Sequence, residues 1–253
     1  MEGYATFSFQ NDTPMTKISI ILPCYNEGAT LSQLVESYRK VSHGLDEVEL
    51  ILVDNGSTDD TAEQLKAEKN KNNPLSLKIV TVPQNIGYGH GIMKGISHAS
   101  GDYIAWSHAD LQCPSEDVVR LYDEVMKRPN PKNCFGKGYR INKVGRAAFF
   151  TRIQTLLSLL ILGYHLKEIY AQPKLFHRDF VNNFHAPPTG YELDFYAFYK
   201  ATMNKMDIVT IDVYFHERKA GKSKWAYSLN SRLRFIINNF SYLLHLRLKG
   251  KKI

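Results

Sequence analysis

Three short segments of the chain concentrate groups able to hold a polar ligand: Pro23-Cys24-Tyr25-Asn26-Glu27, Asp54-Asn55-Gly56-Ser57-Thr58-Asp59 and His108-Ala109-Asp110-Leu111-Gln112. Carboxylates, amides and an aromatic ring can bind a polar organic molecule, and the oxygen ligands among them suit a hard divalent cation. Turn and capping chemistry uses the same residue types, and a DNGSTDD run taken alone is explained as well by that as by ligand binding. The joint placement separates the two readings, because each segment directly follows a short apolar run of strand character.

Those runs alternate with helical periods. Strands are expected over 18–22, 50–53, 77–82 and 103–107, and helices over 30–40, 60–69, 89–99 and 115–127. Ser57, Thr58 and Asp59 are N-cap types ahead of the second helix, and Pro114 precedes the fourth, which has acids in its first turn. Four β-then-α units in order predict an α/β fold with a mostly parallel sheet. Such open sheets bind ligands beyond the carboxyl ends of their strands, which is where the three segments fall. The second half reads as a long apolar helix over 147–166, a helix over 193–203, a strand over 208–214 and a last helix over 229–246. In that last helix Leu233, Ile236, Ile237, Phe240, Leu243 and Leu244 recur at three- and four-residue steps among Arg232, Arg234, Arg247 and Lys249. It fits either a helix packed on its own domain or one lying on a membrane surface.

The charge is divided along the chain. Residues 1–126 hold 9 Lys+Arg against 18 Asp+Glu, a net of −9, whereas 127–253 hold 23 against 7, a net of +16. The overall +7 is therefore no uniform nucleic-acid coat: the acidic half would repel a phosphate backbone and the basic half carries no recognisable nucleic-acid motif. Three cysteines without C-x-x-C spacing make neither a disulfide framework nor a zinc site, which points to a reducing compartment. The first 16 residues read as a loose leader without signal-peptide character. The charge-free run 153–166 would span about 21 Å as a helix, short for a bilayer crossing and suited to a core or membrane-surface helix.

With PCYNE, VDNGSTDDT, NIGYGHG followed by Gly95, ASGDY, ADLQ followed by a proline, and Arg218-x-x-Gly221-Lys222-Ser223-Lys224, the chain resembles the inverting nucleotide-sugar glycosyltransferases of the GT-A fold, family 2. Within that family it is most similar to the polyprenyl-phosphate sugar transferases, of which dolichol-phosphate mannosyltransferase is one type. The motifs span 18–225. The resemblance implies a Rossmann-like sheet with flanking helices, a nucleotide-sugar half over 17–127, a basic, helix-rich acceptor half over 128–225, and a basic amphipathic helix over 226–253. It implies that Pro23, Tyr25 and Glu27 hold base and ribose and that Asp54 hydrogen-bonds the base. Gly87 joins this nucleotide-sugar set, and Asp110 and Gln112 hold Mg2+ or Mn2+ on the diphosphate. Arg140, Arg218, Lys222 and Lys224 meet phosphate or acceptor.

Elementary chemistry agrees with that division. A diphosphate leaving group gains charge as the glycosidic bond breaks, and a divalent ion with basic side chains offsets it. A lipid phosphate acceptor is already an anion and needs no strong base, whereas a sugar hydroxyl does. Two positions depart from the family pattern. His108 stands where the family usually has the first Asp of Asp-x-Asp, and Glu168 stands where related enzymes often carry an Asp ahead of the acceptor loop. Glu168 either positions sugar or acceptor, or is a solvated charge ending a helix. Asp194 is either a base for a hydroxyl acceptor or a helix-start cap. Gly87, Gly89 and Gly91 do not make a dinucleotide fingerprint, since position 92 is Ile.

The expected function is metal-dependent transfer of a sugar from a UDP- or GDP-sugar to a polyprenyl phosphate, by an enzyme peripheral to the cytoplasmic face of a membrane, with or without a membrane partner protein. The alternatives are transfer to a saccharide hydroxyl during surface polysaccharide synthesis, and a catalytically silent nucleotide-sugar-binding subunit.

Overall fold

The computed structural model describes residues 18–42, 47–71, 75–218, 238 and 240–248. Seven strands form one sheet in the order β3-β2-β1-β4-β6-β5-β7. They are β1 (Ile18–Cys24), β2 (Val48–Asn55), β3 (Ser76–Val82), β4 (Tyr103–Trp106), β5 (Cys134–Arg140), β6 (Lys174–His177) and β7 (Asp207–Val213). The helices are α1 (Gly28–Ser42), α2 (Thr61–Asn70), α3 (Tyr88–Ile96), α4 (Glu116–Met126), α5 (Gly145–Leu162) and α6 (Glu192–Met203). The four expected βα units are all present and pair in parallel, with β1 between β2 and β4.

Period-2 alternation divides the core. Ile18, Ile20 and Leu22 face α1, α2 and α4 through residues such as Leu34, Leu65 and Leu121, whereas Ile21, Ile51 and Trp106 face α3 and α6 through Ile92, Ile96 and Leu193. Burial on both faces explains why β2 is buried throughout its length, as in a parallel sheet covered by helices.

Two strands, β5 and β6, were not expected from the sequence. Their residues CFGKGYR and KLFH lack a β-branched run, and each carries a lysine that is fully buried. Strand β6 is antiparallel to both β4 and β5, and β7 is parallel to β5. Two reversals leave β5 and β7 running the same way as β1–β4. The ends of β5 and β7 and the start of β6 therefore reach the sheet edge that carries the three polar segments.

The long helix α5 stops at Leu162, before the expected 166, because Gly163 turns left-handed at φ 81° and donates back to Leu159 O. Among the described residues no helix is long and apolar enough to cross a membrane. Of the expected last helix, 238 and 240–246 are described, and its Leu243 and Leu246 are buried in the core while Tyr242 meets Phe195 edge-on. Lys222, Lys224, Arg232, Arg234 and 249–253 lie outside the described residues.

Candidate active site

The loops after β1 and β2 are sewn together by short polar side chains. Asn26, at φ 57°, accepts from the Thr58 N–H at 2.8 Å, and its own N–H donates to Ser57 Oγ at 3.2 Å. Asp54 Oδ1 accepts from the Ser57 N–H at 3.0 Å, and Asp59 accepts from Thr61 and Gly28. Much of DNGSTDD thus does turn work, and that work fixes where Glu27 and the buried Asp54 stand.

Three expected site residues meet at one point. Arg218 Nη2 lies 2.9 Å from Glu27 Oε1 and 3.1 Å from Asp110 Oδ2. Asp110 Oδ1 accepts from the Gln112 N–H at 3.1 Å. Burial, with repulsion from Asp110 outweighed in turn by attraction to Arg218, leaves the Glu27 carboxyl raised to about 7. Arg218 arrives on the segment 214–218 that leaves β7. That strap is pinned on one side by Gln112, whose Nε2 donates to His216 O at 3.0 Å and whose carbonyl accepts from the His216 N–H at 2.9 Å. On the other side Asn142 donates to Phe215 O at 2.7 Å and accepts from the Phe215 N–H at 3.1 Å. Arg140 lies over the Phe215 ring, 4.7 Å from its centre, and its Nε donates to Asn142 at 3.2 Å.

Beyond the strap lies a cationic group that sequence reasoning found only in part. In the sheet register Trp106 pairs with Lys174 and Lys174 with Lys137, so the three share one face. Both ammonium groups are buried: Lys174 Nζ donates to Ala171 O at 2.7 Å and lies 3.6 Å from Asp194 Oδ1, and Lys137 Nζ donates to Gly138 O at 2.8 Å. Burial and repulsion from Lys174 bring Lys137 down to about 7. Lys143 pairs with Glu168 at 2.7 Å, and burial lowers both Lys143 and Arg140. Four cationic side chains thus face two carboxylates.

Asp194 is fully engaged. Its Oδ1 accepts from Trp106 Nε1 at 2.8 Å and its Oδ2 from Gln172 Nε2 at 2.8 Å, with 1% of the residue exposed. Glu168, at φ 50°, is held by Lys143 rather than solvated. Pro23 sits half-buried at the end of β1 and Tyr25 half-buried on the loop after it, and Gly87 lies at the start of α3 with its carbonyl held by Asn55 Nδ2 at 3.0 Å. The His108 ring contacts Tyr88 and Phe215, at 5.6 and 6.3 Å between centres. No site role was expected of Lys137, Asn142, Lys143, Gln172 or Lys174, because nothing in a lone lysine or amide marks it as buried.

Residues 19–189 match the model of Glycosyl transferase family 2. The chain is a family 2 glycosyl transferase. It shares 39% identity over 108 residues with undecaprenyl-phosphate 4-deoxy-4-formamido-L-arabinose transferase of Proteus mirabilis, a stretch covering 42% of this chain and 33% of that relative's length. Among solved structures it is similar to glucosyl-3-phosphoglycerate synthase of Mycobacterium tuberculosis in complex with UDP, with a TM-score of 0.68, 21% identity, and 91% of this chain and 80% of that one covered. The same enzyme in complex with Mn2+, UDP and phosphoglyceric acid gives a TM-score of 0.66 at 20% identity, over 93% and 78% of the two chains. The fold is thereby that of the GT-A glycosyltransferases, and the family match ends within the loop that leads into α6.

Proposed function

We propose that this glycosyltransferase moves a sugar from a nucleotide-diphosphate sugar to a polyprenyl phosphate at the cytoplasmic face of a membrane. The observation that carries the acceptor assignment is the state of the carboxylates. Among the described residues around the site, Asp194 is sealed by Trp106 and Gln172, Glu168 is paired with Lys143, and Glu27 and Asp110 are paired with Arg218. None of these four carboxylates stands unpaired to take a proton from a sugar hydroxyl. A phosphate acceptor needs none, and the excess of cations around Arg140 and Lys143 suits an anion.

Donor binding falls to the acidic half. Asp54, Tyr25 and Pro23 line the side for the base, and the oxygens of Asp110 and Gln112 are hard ligands suited to Mg2+ or Mn2+. The convergence of Glu27 and Asp110 on one guanidinium supports a cation between them. The divalent ion, when bound, offsets the charge that grows on the leaving diphosphate. Among the described residues the buried Nε of Arg218 has no partner, and a guanidinium grips phosphate as readily as carboxylate. Arg140 and Lys143 hold the acceptor phosphate oxygen toward the anomeric carbon. Direct displacement there inverts the configuration.

Membrane contact rests on the 127–167 segment, which contains nine Lys+Arg and no Asp or Glu. It ends in α5, where Phe149, Leu156 and Leu160 are exposed. A cationic, apolar surface of that kind binds anionic lipid. The test is transfer of label from a panel of UDP- and GDP-sugars to a membrane lipid extract. Labelled lipid is the expected product; label found only in soluble saccharide would refute the acceptor assignment.

A further inference from the structure

The aromatic residues beside Asp110 have no part in the functional reading so far. The Tyr191 ring stacks on that of Tyr88, with centres 5.0 Å apart and 19° between planes, and the His108 ring also meets Tyr88, tilted, at 5.6 Å. Tyr88 is locked: its hydroxyl accepts from Gln172 Nε2 at 3.2 Å, and the same amide bonds Asp194. Tyr191 remains 41% exposed although one face of its ring is stacked on Tyr88. Burial raises its hydroxyl, Arg218 lowers it, and Asp110, Asp194 and Glu27 raise it further.

The chain builds this stack deliberately. Gly87 has φ 148°, and a methyl group there would lie 2.4 Å from Thr189 O; one at Gly89 would lie 2.5 Å from Pro188 O and 2.6 Å from Gly190 O. The His90 N–H donates to Thr189 O at 2.9 Å. Two glycines flanking Tyr88 therefore let the backbones of 87–90 and 188–190 touch, and that contact delivers Tyr191 onto Tyr88. The spacing that failed as a dinucleotide fingerprint has a different use.

We propose that Tyr191, backed by Tyr88, is the platform for the pyranose ring of the donor, and so a specificity-determining residue. A pyranose presents a face of C–H bonds polarised by neighbouring oxygens, and these pack on the negative face of an aromatic ring. Asp110 stands beside the platform to receive the diphosphate to which that sugar is joined. A part-exposed aromatic ring next to carboxylates and a cation is also the mixed apolar and polar lining expected of a small-molecule site.

This inference rests on the nucleotide-sugar reading, and one experiment separates the two. Wild type, Tyr191→Ala and Tyr191→Phe are titrated calorimetrically in Mn2+ with UDP, GDP and a panel of their hexose conjugates. Wild type should bind one diphosphate and at least one of its sugars. Tyr191→Ala should then weaken the nucleotide-sugar about three- to tenfold and the free diphosphate less than twofold, while Tyr191→Phe keeps both. Equal weakening of both ligands, or no change in either, overturns the platform and leaves the donor reading standing. Failure of wild type to bind any diphosphate overturns both. Saturation-transfer NMR on wild type gives a check that needs no variant: irradiating aromatic protons should mark the pyranose protons of one ring face, and an unmarked pyranose beside a marked nucleotide contradicts the proposal.

Discussion

The two halves of the sheet handle charge in opposite ways. In β3-β2-β1-β4 the strands are largely apolar, apart from the buried Glu49 held by Lys78 and Ser19, and the carboxylates of the site sit at or past the strand ends, beside loops whose side chains cap turns and hold one another. In β6-β5-β7 charges lie inside the strands: Lys174 and Lys137 are buried opposite each other and satisfied by Ala171 O, Gly138 O and Asp194. The first arrangement leaves carboxylates available to a cation and its ligand at little cost to the fold. The second ties function to stability, since burying ammonium groups is expensive unless each is hydrogen-bonded and paired. The strap 214–218 joins the halves, held by Gln112 on one side and Asn142 on the other.

The largest effect that would sharpen this contrast belongs to the second half. Asp194→Ala strands Lys174 and frees Trp106 Nε1 and Gln172, and should cost about 3–5 kcal/mol in denaturant unfolding. A variant of full stability with no turnover would instead make Asp194 a general base. In the first half, Asp110→Ala should leave unfolding within about 1 kcal/mol of wild type, as befits a loop carboxylate. Its turnover should fall on the order of 10²–10³-fold, measured at saturating donor.

Arg140→Ala comes next, with an expected loss of roughly tenfold or more in kcat/KM for the acceptor and an unchanged KM for the donor. A change confined to the donor would break the division of labour. The smallest effect is one of pH. The Glu27 carboxyl is raised to about 7 in the native protein from an ordinary value of 4.5, so between those values the native state binds the extra proton and stability falls as pH rises. Glu27→Gln should remove that slope, raising the melting temperature at pH 8 relative to wild type by roughly 2–4 °C for each 1 kcal/mol recovered, with little difference at pH 4.5.

The same contrast explains what could be read from the sequence. The four βα units were legible because their strands are β-branched and their helices periodic, and the convergence of Glu27, Asp110 and Arg218 lies where motif order places it. Strands β5 and β6 were not legible, because Lys137 and Lys174 read as solvent-facing until the register puts them against α6. Asp194 was visible as a carboxylate, but its partners Trp106 and Gln172 lie 88 and 22 residues away and no local pattern links them. Glycines 87 and 89 were visible too; their purpose depends on a loop a hundred residues later.

The central claim is that the acceptor arrives as an anion and needs no base. Transfer should therefore be compared between a polyprenyl phosphate and the polyprenol of the same chain length, at equal concentration in the same vesicles. Labelled product from the phosphate alone is the predicted result. Comparable transfer to the alcohol would contradict it.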